Sequence, residues 1–205
     1  MTKSELLRCP WAGTEQIYID YHDKEWGIPL HDDQRLFEML ILEGMQAGLS
    51  WITILKKREN FRSAFDGFDA EKIAAYDSQK IEELMQNSGI IRNRRKITAA
   101  VSNAKAFLEI QKEFGSFDRF IWDYVGGVPI VNHFKSMSEV PANTPLSDKI
   151  SRDLKKRGFN FVGTTIIYSF MQAIGMVDDH LITCPCHSDL KRNFKTARGN
   201  FVAPR

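Results

Sequence analysis

Near the end of the chain, the stretch "MVDDHLITCPCH" places His180, Cys184 and Cys186 within seven residues. Imidazole nitrogen and thiolate sulfur are the ligands that Zn²⁺ prefers, and a structural zinc ion needs a full tetrahedral set of them. The stretch therefore predicts one half of a zinc site, with the other half supplied from elsewhere in the chain. The alternative is a buried free cysteine beside a surface histidine.

The composition narrows the class of protein. The chain has 205 residues, of which 43% are hydrophobic and 26% are charged, as in one globular domain spanning residues 1–205. No apolar run is long enough to span a membrane, and the first residues lack the apolar core of a secretory signal. Three cysteines do not make a disulfide framework. We therefore expect a cytoplasmic protein without a membrane partner.

Basic residues are distributed unevenly, although the formal net charge is only +2. Clusters lie at 56–58, 92–96 and 155–157, and the tail after Asp189 carries lysines and arginines without an acid. A solvated helix face explains any single cluster, whereas several clusters together favour a polyanionic partner.

The elements that position these residues are predicted to be helices. Side-chain oxygens that can cap a helix precede most of the apolar runs, and glycines follow several of them. The predicted caps are Asp32, Ser50, Asp69, Asp77, Asn93, Ser116 and Thr144. Alternation with a period of two is scarce, so the fold class is all-α, with about eight or nine helices. One of them is expected to run unbroken over 51–65, and loops are expected at 10–31, at 126–143 and after 185.

The stretch "LKKRGFNFVGTT" joins the last two predicted helices and contains Gly158 and Gly163. This layout is typical of a helix-hairpin-helix, in which the first glycine permits a positive φ and the amides of the second helix face a phosphate. Such contacts read no base sequence. Two helices joined through a glycine are also common without DNA binding, so the hairpin alone does not decide the function.

Three longer stretches carry a family resemblance: "YIDYHDKEWGIPLHDD", "LEGMQAGLSWITILKKREN" and "KKRGFNFVGTTIIYSFMQA". They resemble the DNA-3-methyladenine glycosylase I family of the helix-hairpin-helix DNA glycosylases, which are bacterial alkylation-repair enzymes. The resemblance covers residues 8–186 and leaves 187–205 as a basic tail. It implies a helix-hairpin-helix glycosylase fold, hydrolytic release of 3-methyladenine from alkylated double-stranded DNA, and free 3-methyladenine as a product. We expect the enzyme to act as a monomer.

The resemblance also supplies the missing half of the zinc site. The family's ligand motifs fall on Cys9 in "RCPW", His22 in "YHD", and His180 and Cys184 in "DHLITC". Two thiolates and two imidazoles form a closed tetrahedral set, which suits one structural zinc ion that clips the N- and C-terminal segments together. Cys186 ranks below Cys184, either as an alternative ligand or as an exposed thiol.

The family's base pocket falls on Glu43, Tyr21, Trp11 and Trp51 of this chain. Glu43 would be the catalytic recognition group that accepts a hydrogen bond from the flipped, cationic base. From the residues alone, the Glu43 carboxylate could equally face solvent, and Trp51 could belong to the core. The family's DNA wedge falls on Gln46, Gly48 and Leu49, and its backbone-binding hairpin on Gly158, Phe159, Gly163 and Thr164.

Two further positions refine the expected reaction. Val162 stands where strand-cutting members of the superfamily carry a lysine, so no Schiff base is expected and the enzyme is predicted to be monofunctional. Asp178 stands where other members carry an essential aspartate, and the sequence leaves its role open. One rival is a zinc hydrolase or nucleobase deaminase, whose H-x-E and P-C-x-x-C motifs are absent. The other is a damaged-DNA binder without activity, which would not need Tyr21, Glu43 and Trp51 together.

Overall fold

The computed structural model describes residues 7–190, and helices make up most of this range, as predicted. Within it lie ten α-helices and two short strands. The helices are α1 (Gln16–Lys24), α2 (Asp33–Gln46), α3 (Trp51–Leu55), α4 (Arg58–Ala64), α5 (Ala70–Ala74), α6 (Ser78–Gln86), α7 (Arg94–Phe114), α8 (Phe117–Asp123), α9 (Pro145–Lys156) and α10 (Thr164–Ala173). The strands are β1 (Ile130–Val131) and β2 (Val177–Asp178). None of the helices in this range is long and apolar enough to cross a membrane.

Most of the predicted helix caps are present. The Asp32 side chain accepts a hydrogen bond of 2.9 Å from the amide of Arg35 at the start of α2. Thr144 and Ser147 form a reciprocal capping box at the start of α9, where Pro145 is the first helical residue. The other side chains that cap as predicted are Asp69, Asp77, Asn93 and Ser116.

The prediction of one helix over 51–65 is wrong. The Ser50 hydroxyl contacts the Thr53 hydroxyl at 2.7 Å and makes no cap hydrogen bond to the backbone. The chain then leaves helical geometry at Lys57, with φ −105° and ψ 0°, so α3 and α4 are separate helices. This break turns the Arg58 side chain inward, where it is buried and bonds Glu38 and Glu25.

The loops expected at 10–31 and 126–143 contain regular structure. Helix α1 lies inside the first, and its N-cap residue Glu15 makes no side-chain cap bond, which is why cap signals did not reveal it. The second contains β1, which pairs in parallel with β2 so that Val131 lies opposite Asp178. Two-residue strands carry too little alternation to be read from a sequence.

Helix α2 forms the centre of the fold. Its side chains are buried continuously from Leu36 to Met45, and the helix packs against α3, α7, α8 and α10. At the end of α10, Gly175 has φ +68°, and a Cβ there would lie 2.3 Å from the backbone carbon of Ile28. Only glycine permits this approach, which holds the segment after α1 against α10.

Candidate active site

The two ends of the described range meet in a buried cluster of sulfur and nitrogen atoms. The cluster consists of Cys9, His22, His180 and Cys184, and one donor atom from each lies within 4.8 Å of the others. Cys9 precedes the 3-10 turn Pro10–Ala12, His22 belongs to α1, and the other two follow β2. The structure thus brings together all four of the predicted zinc ligands.

The distances in this cluster match those of a tetrahedral zinc site. Zinc–sulfur and zinc–nitrogen bonds of about 2.3 and 2.1 Å place a sulfur and a nitrogen ligand about 3.6 Å apart. The Cys184 Sγ atom lies 3.5 Å from both His22 Nε2 and His180 Nδ1, and the Cys9 Sγ atom lies 3.6 Å from His180 Nδ1. The remaining donor atoms lie within 4.8 Å of one another, so the donor set fits a zinc ion.

The remaining ring nitrogens are held by oxygen acceptors, as in many metal sites. His22 Nδ1 lies 2.7 Å from an Asp23 carboxylate oxygen, and His180 Nε2 lies 3.2 Å from the Trp26 carbonyl oxygen. A proton on each of these nitrogens leaves the lone pair of the other nitrogen facing the cluster. The Cys184 thiolate further accepts a hydrogen bond from the Cys186 amide.

Cys186 is not the exposed thiol that the sequence suggested as one alternative. Its side chain is buried, and its sulfur lies 3.8 Å from an Asp23 carboxylate oxygen. The four-donor cluster contains Cys184, whereas Cys186 groups with His22 and Asp23.

Beside the cluster lies a cavity of about 240 Å³ that is lined in part by tryptophan and tyrosine rings. All four predicted pocket residues line it: Trp11, Tyr21, Glu43 and Trp51. Trp11 lies in the 3-10 turn after Cys9, Tyr21 on α1, Glu43 on α2 and Trp51 at the start of α3, so elements near the N-terminus form one side of the cavity. Trp26 connects the cavity to the cluster, because its ring lies 4.8 Å from Trp11 and 4.6 Å from His180.

Glu43 is a buried carboxyl group in this cavity, and its Oε2 atom has no hydrogen-bond partner among the described residues. Burial raises the pKa of Glu43 to about 8. Unpartnered acceptors are costly in a folded protein and commonly mark a functional site. The alternative that the Glu43 side chain faces solvent is therefore wrong.

The aromatic side chains define the shape of the cavity and offer a second free polar atom. Tyr21 and Trp51 lie 5.4 Å apart between ring centroids. The Trp51 Nε1–H group is buried without a partner in the described part of the chain, and Trp51 lines the cavity. A flat aromatic ligand that can both donate to Glu43 and accept from Trp51 fits these groups.

Comparison with known proteins matches the chain to one family. The family model described as methyladenine glycosylase matches residues 11–187, which is most of the chain. The chain belongs to the methyladenine glycosylase family. The predicted family resemblance is thereby confirmed.

The similarity between this chain and its relatives extends over nearly the whole length of the relatives. It is 56% identical over 179 residues to a DNA-3-methyladenine glycosylase of Haemophilus influenzae, covering 87% of this chain and 97% of the relative. A crystal structure of 3-methyladenine DNA glycosylase I is 53% identical, with a TM-score of 0.86, and covers 88% of this chain and all of the other. A variant of such an enzyme in complex with 3-methyladenine is 39% identical, with a TM-score of 0.85, over 87% and 96% of the two chains.

One residue of the predicted wedge lines the cavity, and the other two follow it in the chain. Gln46 ends α2 and lines the cavity, whereas Gly48 and Leu49 form the exposed turn between α2 and α3. Leu49 leaves 42% of its surface exposed, so an apolar side chain is available to enter DNA. Its role as a wedge remains a prediction.

The predicted hairpin connects α9 to α10. Gly158 has φ +93°, as the motif requires, and the first turn of α10 has no side-chain cap at Gly163. Thr164 bonds across to Ser147 of α9. The side chains of Phe159 and Val162 are buried in the core, so only the backbone of Phe159 is available to a ligand and no amine occupies position 162.

Several basic residues of the predicted clusters are already engaged within the protein. Lys57 donates to the carbonyl oxygens of Ser88 and Gly89, and Lys96 is buried with its ammonium bonded to the Met45 and Ala47 carbonyls at the end of α2. These clusters contribute less to a polyanion surface than their charges suggest. The basic residues of the tail after 190 lie outside the described residues.

Sequence reasoning missed part of the cavity wall. Tyr18, Tyr168, Gln172 and Asp179 all line the cavity, together with the segment 137–142. Tyr168 and Gln172 are four residues apart on α10 and so share a helix face, which is a signal the sequence contains. The aspartate that lines the cavity is Asp179. The Asp178 carboxylate instead accepts hydrogen bonds from the backbone amides of His180 and Ser188.

Proposed function

We propose that the protein hydrolyses the N-glycosidic bond of 3-methyladenine in alkylated double-stranded DNA, which releases the free base and leaves an abasic site. The observation that carries this proposal is the buried Glu43 carboxyl group with a free oxygen inside an aromatic cavity. The chain's relatives, which are named for this activity, support the same conclusion.

The cavity suits a base that has left the DNA stack. A glycosylase must flip its target nucleotide, because the glycosidic bond is out of reach inside the duplex. Methylation at N3 gives the adenine a positive charge, and the electron-rich faces of Trp11, Tyr21 and Trp51 attract a cation by about 1–2 kcal/mol in a desolvated site. An unmethylated, neutral adenine lacks this attraction.

Glu43 acts on the exocyclic amine of the flipped base. Its free oxygen accepts an amine hydrogen, and its negative charge stabilises the cationic ring. Because burial raises the pKa of Glu43 to about 8, the empty site holds a largely protonated carboxyl group at neutral pH. Binding of the cationic base therefore favours release of this proton.

The bond that breaks joins C1′ of the sugar to N9 of the base. Its electron pair moves to the base and neutralises the positive charge, so the leaving group needs no further protonation. Water then adds to C1′ and loses a proton. Position 162 supplies no amine for attack on the sugar, because it carries valine, and we infer that strand cleavage does not follow.

The DNA backbone would be held at the start of α10. Its first amides lack a side-chain cap, and helix N-termini attract phosphate through these amides and the helix dipole. The exposed Leu49 would fill the space that the flipped base leaves. Neither contact reads base sequence, so we expect sequence-neutral binding that weakens with salt.

The Cys9, His22, His180 and Cys184 cluster would hold one zinc ion in a structural role. A closed set of thiolate and imidazole ligands leaves no open position for a substrate. When bound, the ion supplies stability by joining the segment before α1 to the segment after β2.

We further propose that the protein acts as a monomer. Light scattering of the purified protein tests this.

The activity is tested by incubating the protein with methylated duplex DNA and identifying any released base. Release of 3-methyladenine with intact strands is the expected result. Tight binding of the methylated DNA without any released base would instead favour the damaged-DNA binder.

A further inference from the structure

A second carboxylate, Asp179, lines the cavity and is almost completely buried, with 1% of its surface exposed. Three side chains surround it. Its Oδ2 atom accepts hydrogen bonds from the Tyr168 hydroxyl at 2.6 Å and from the Gln172 amide at 2.8 Å, and its Oδ1 atom accepts one from the Asn132 amide at 2.7 Å. The reaction described above does not use this group.

Two different elements bring these partners to Asp179. Parallel pairing of β1 with β2 continues through the bond from the Asn132 amide nitrogen to the Asp178 carbonyl, and it places Asn132 beside Asp179. Tyr168 and Gln172 lie one turn apart on α10, so both project from the same face. The position of Asp179 is therefore fixed from two directions.

A carboxylate accepts hydrogen bonds and cannot donate them. The Tyr168 hydroxyl hydrogen and one Gln172 amide hydrogen must therefore point toward Asp179. This leaves the lone pairs of the Tyr168 oxygen and the Gln172 Oε1 atom for other partners. Because both residues line the cavity, the negative ends of two side-chain dipoles are available on this wall.

We propose that Asp179 is a positioning residue that orients Tyr168 and Gln172 so that this wall of the cavity favours positively charged bases over neutral ones of the same shape. The proposal rests on the proposed function, since it concerns the selectivity of the same cavity. Glu43 then recognises one edge of the base. Asp179 orients Tyr168 and Gln172 so that their oxygen atoms attract the positive charge of the base.

The test replaces Asp179 by asparagine, which has nearly the same shape but can donate hydrogen bonds. An amide at this position allows Tyr168 and Gln172 to turn their hydrogens toward the cavity. Two substrates are then compared. One is methylated duplex DNA, which contains the cationic base. The other is the same duplex with the neutral 3-deaza analogue of 3-methyladenine, in which a carbon replaces the methylated ring nitrogen.

We expect Asp179→Asn to slow single-turnover excision of 3-methyladenine at subsaturating enzyme by about tenfold or more, because the flipped cationic base loses the negative dipole ends that attract it into the cavity. Binding of the duplex with the neutral analogue should change by about twofold or less, because the shape of the cavity is kept. Equal losses in excision and in neutral-analogue binding would show a merely structural role. Wild-type values for both would also overturn the proposal.

A second variant tests whether Asp179 acts through its partner. In a Tyr168→Phe background, the effect of Asp179→Asn on excision should shrink, because one of the two oriented oxygens is already absent. Full additivity would contradict the positioning role. If Asp179→Asn fails to fold by circular dichroism, Tyr168→Phe alone should show the same pattern, with slower excision and nearly unchanged binding of the neutral analogue.

Asp178→Asn serves as the matched control, because Asp178 is the neighbouring residue, is similarly buried, and bonds backbone amides outside the cavity. This variant should lose stability but keep the wild-type ratio of excision rate to neutral-analogue affinity. Failure of the wild-type protein to release any base would reject the proposed function. Release by the wild type with no difference in Asp179→Asn would reject only the present inference.

Discussion

The rings of His22 and Trp26 lie nearly parallel, with an angle of 16° between their planes and 6.3 Å between their centroids. His22 belongs to the sulfur and nitrogen cluster, and Trp26 lines the cavity. The Trp26 carbonyl oxygen also contacts His180, the second histidine of the cluster. The cluster and the cavity therefore share a wall. If the cluster holds the proposed zinc ion, removing the ion should affect the binding of a base as well as stability.

We predict that protein purified without added metal contains about one zinc ion per chain, as the tetrahedral donor set requires. Cys184→Ser should lose this zinc and lower the free energy of unfolding by about 2 kcal/mol or more. It should also weaken binding of free 3-methyladenine while the protein is still folded. Elemental analysis, thermal unfolding and titration with the base measure these effects.

Cys186→Ser is the matched control for Cys184→Ser, because both thiols are buried and lie two residues apart. We expect this variant to retain its zinc, since Cys186 does not belong to the four-donor cluster. A zinc content near zero in folded, active wild-type protein would remove the structural metal from this account.

The stability of the protein should depend on the pH through Glu43. Burial raises the pKa of Glu43 from 4.5 to about 8, so between these values the folded state holds a proton that the unfolded state has released. Stability then falls as the pH rises through this window. Glu43→Gln removes this titration. The free energy of unfolding of the variant minus that of the wild type should therefore be larger at pH 9 than at pH 5, by on the order of 1–4 kcal/mol.

Urea unfolding of both proteins at the two pH values measures this difference. Other titrating groups contribute equally to the wild type and to Glu43→Gln, and they cancel in the comparison. An identical pH dependence in the two proteins would mean that the Glu43 carboxyl group reaches water.

The backbone of the hairpin is predicted to bind phosphate. Gly158→Ala introduces a side chain at φ +93°, where its Cβ meets no atom within 4 Å, so the penalty is a backbone penalty of about 1–2 kcal/mol. The variant should weaken binding to duplex DNA about equally for all sequences. Fluorescence anisotropy with several unrelated duplexes tests this.

Gly126→Ala is the control, because Gly126 also has a positive φ, +62°, and open space around its Cβ, but lies outside the hairpin. It should lower stability without weakening DNA binding. Equal loss of DNA affinity in both variants would indicate that general stability, rather than the hairpin, controls binding.

Cap residues made most of the helices predictable from the sequence, because an Asp, Asn, Ser or Thr side chain satisfies backbone amides locally. Helix α1, which the sequence did not reveal, begins at Glu15 without a cap bond, and Tyr21 and His22 on it are buried in the fold. The break at Lys57 was likewise hidden, because it depends on the buried pairing of Arg58 with Glu38. Tertiary contacts decide such positions, and local signals do not contain them.

The candidate site was predictable only where a motif carried it. The resemblance located Glu43 and the four cluster residues, whereas Asp179 escaped notice because its position is fixed partly by Asn132, which lies 47 residues away in the chain. From the sequence, Asp178 was the aspartate to consider. The structure assigns its oxygens to backbone amides and brings Asp179 to the cavity.

Single-turnover excision by Glu43→Gln on methylated duplex DNA tests the central claim most directly. The amide keeps the shape of the side chain but loses its charge, which weakens a charge-assisted hydrogen bond worth about 1.5–3 kcal/mol. We predict wild-type affinity for the duplex, because phosphate contacts dominate binding, and release of 3-methyladenine that is roughly ten- to a hundredfold slower. Wild-type release rates and wild-type affinity for the free base in this variant would show that Glu43 does not contact the base, and would contradict the account.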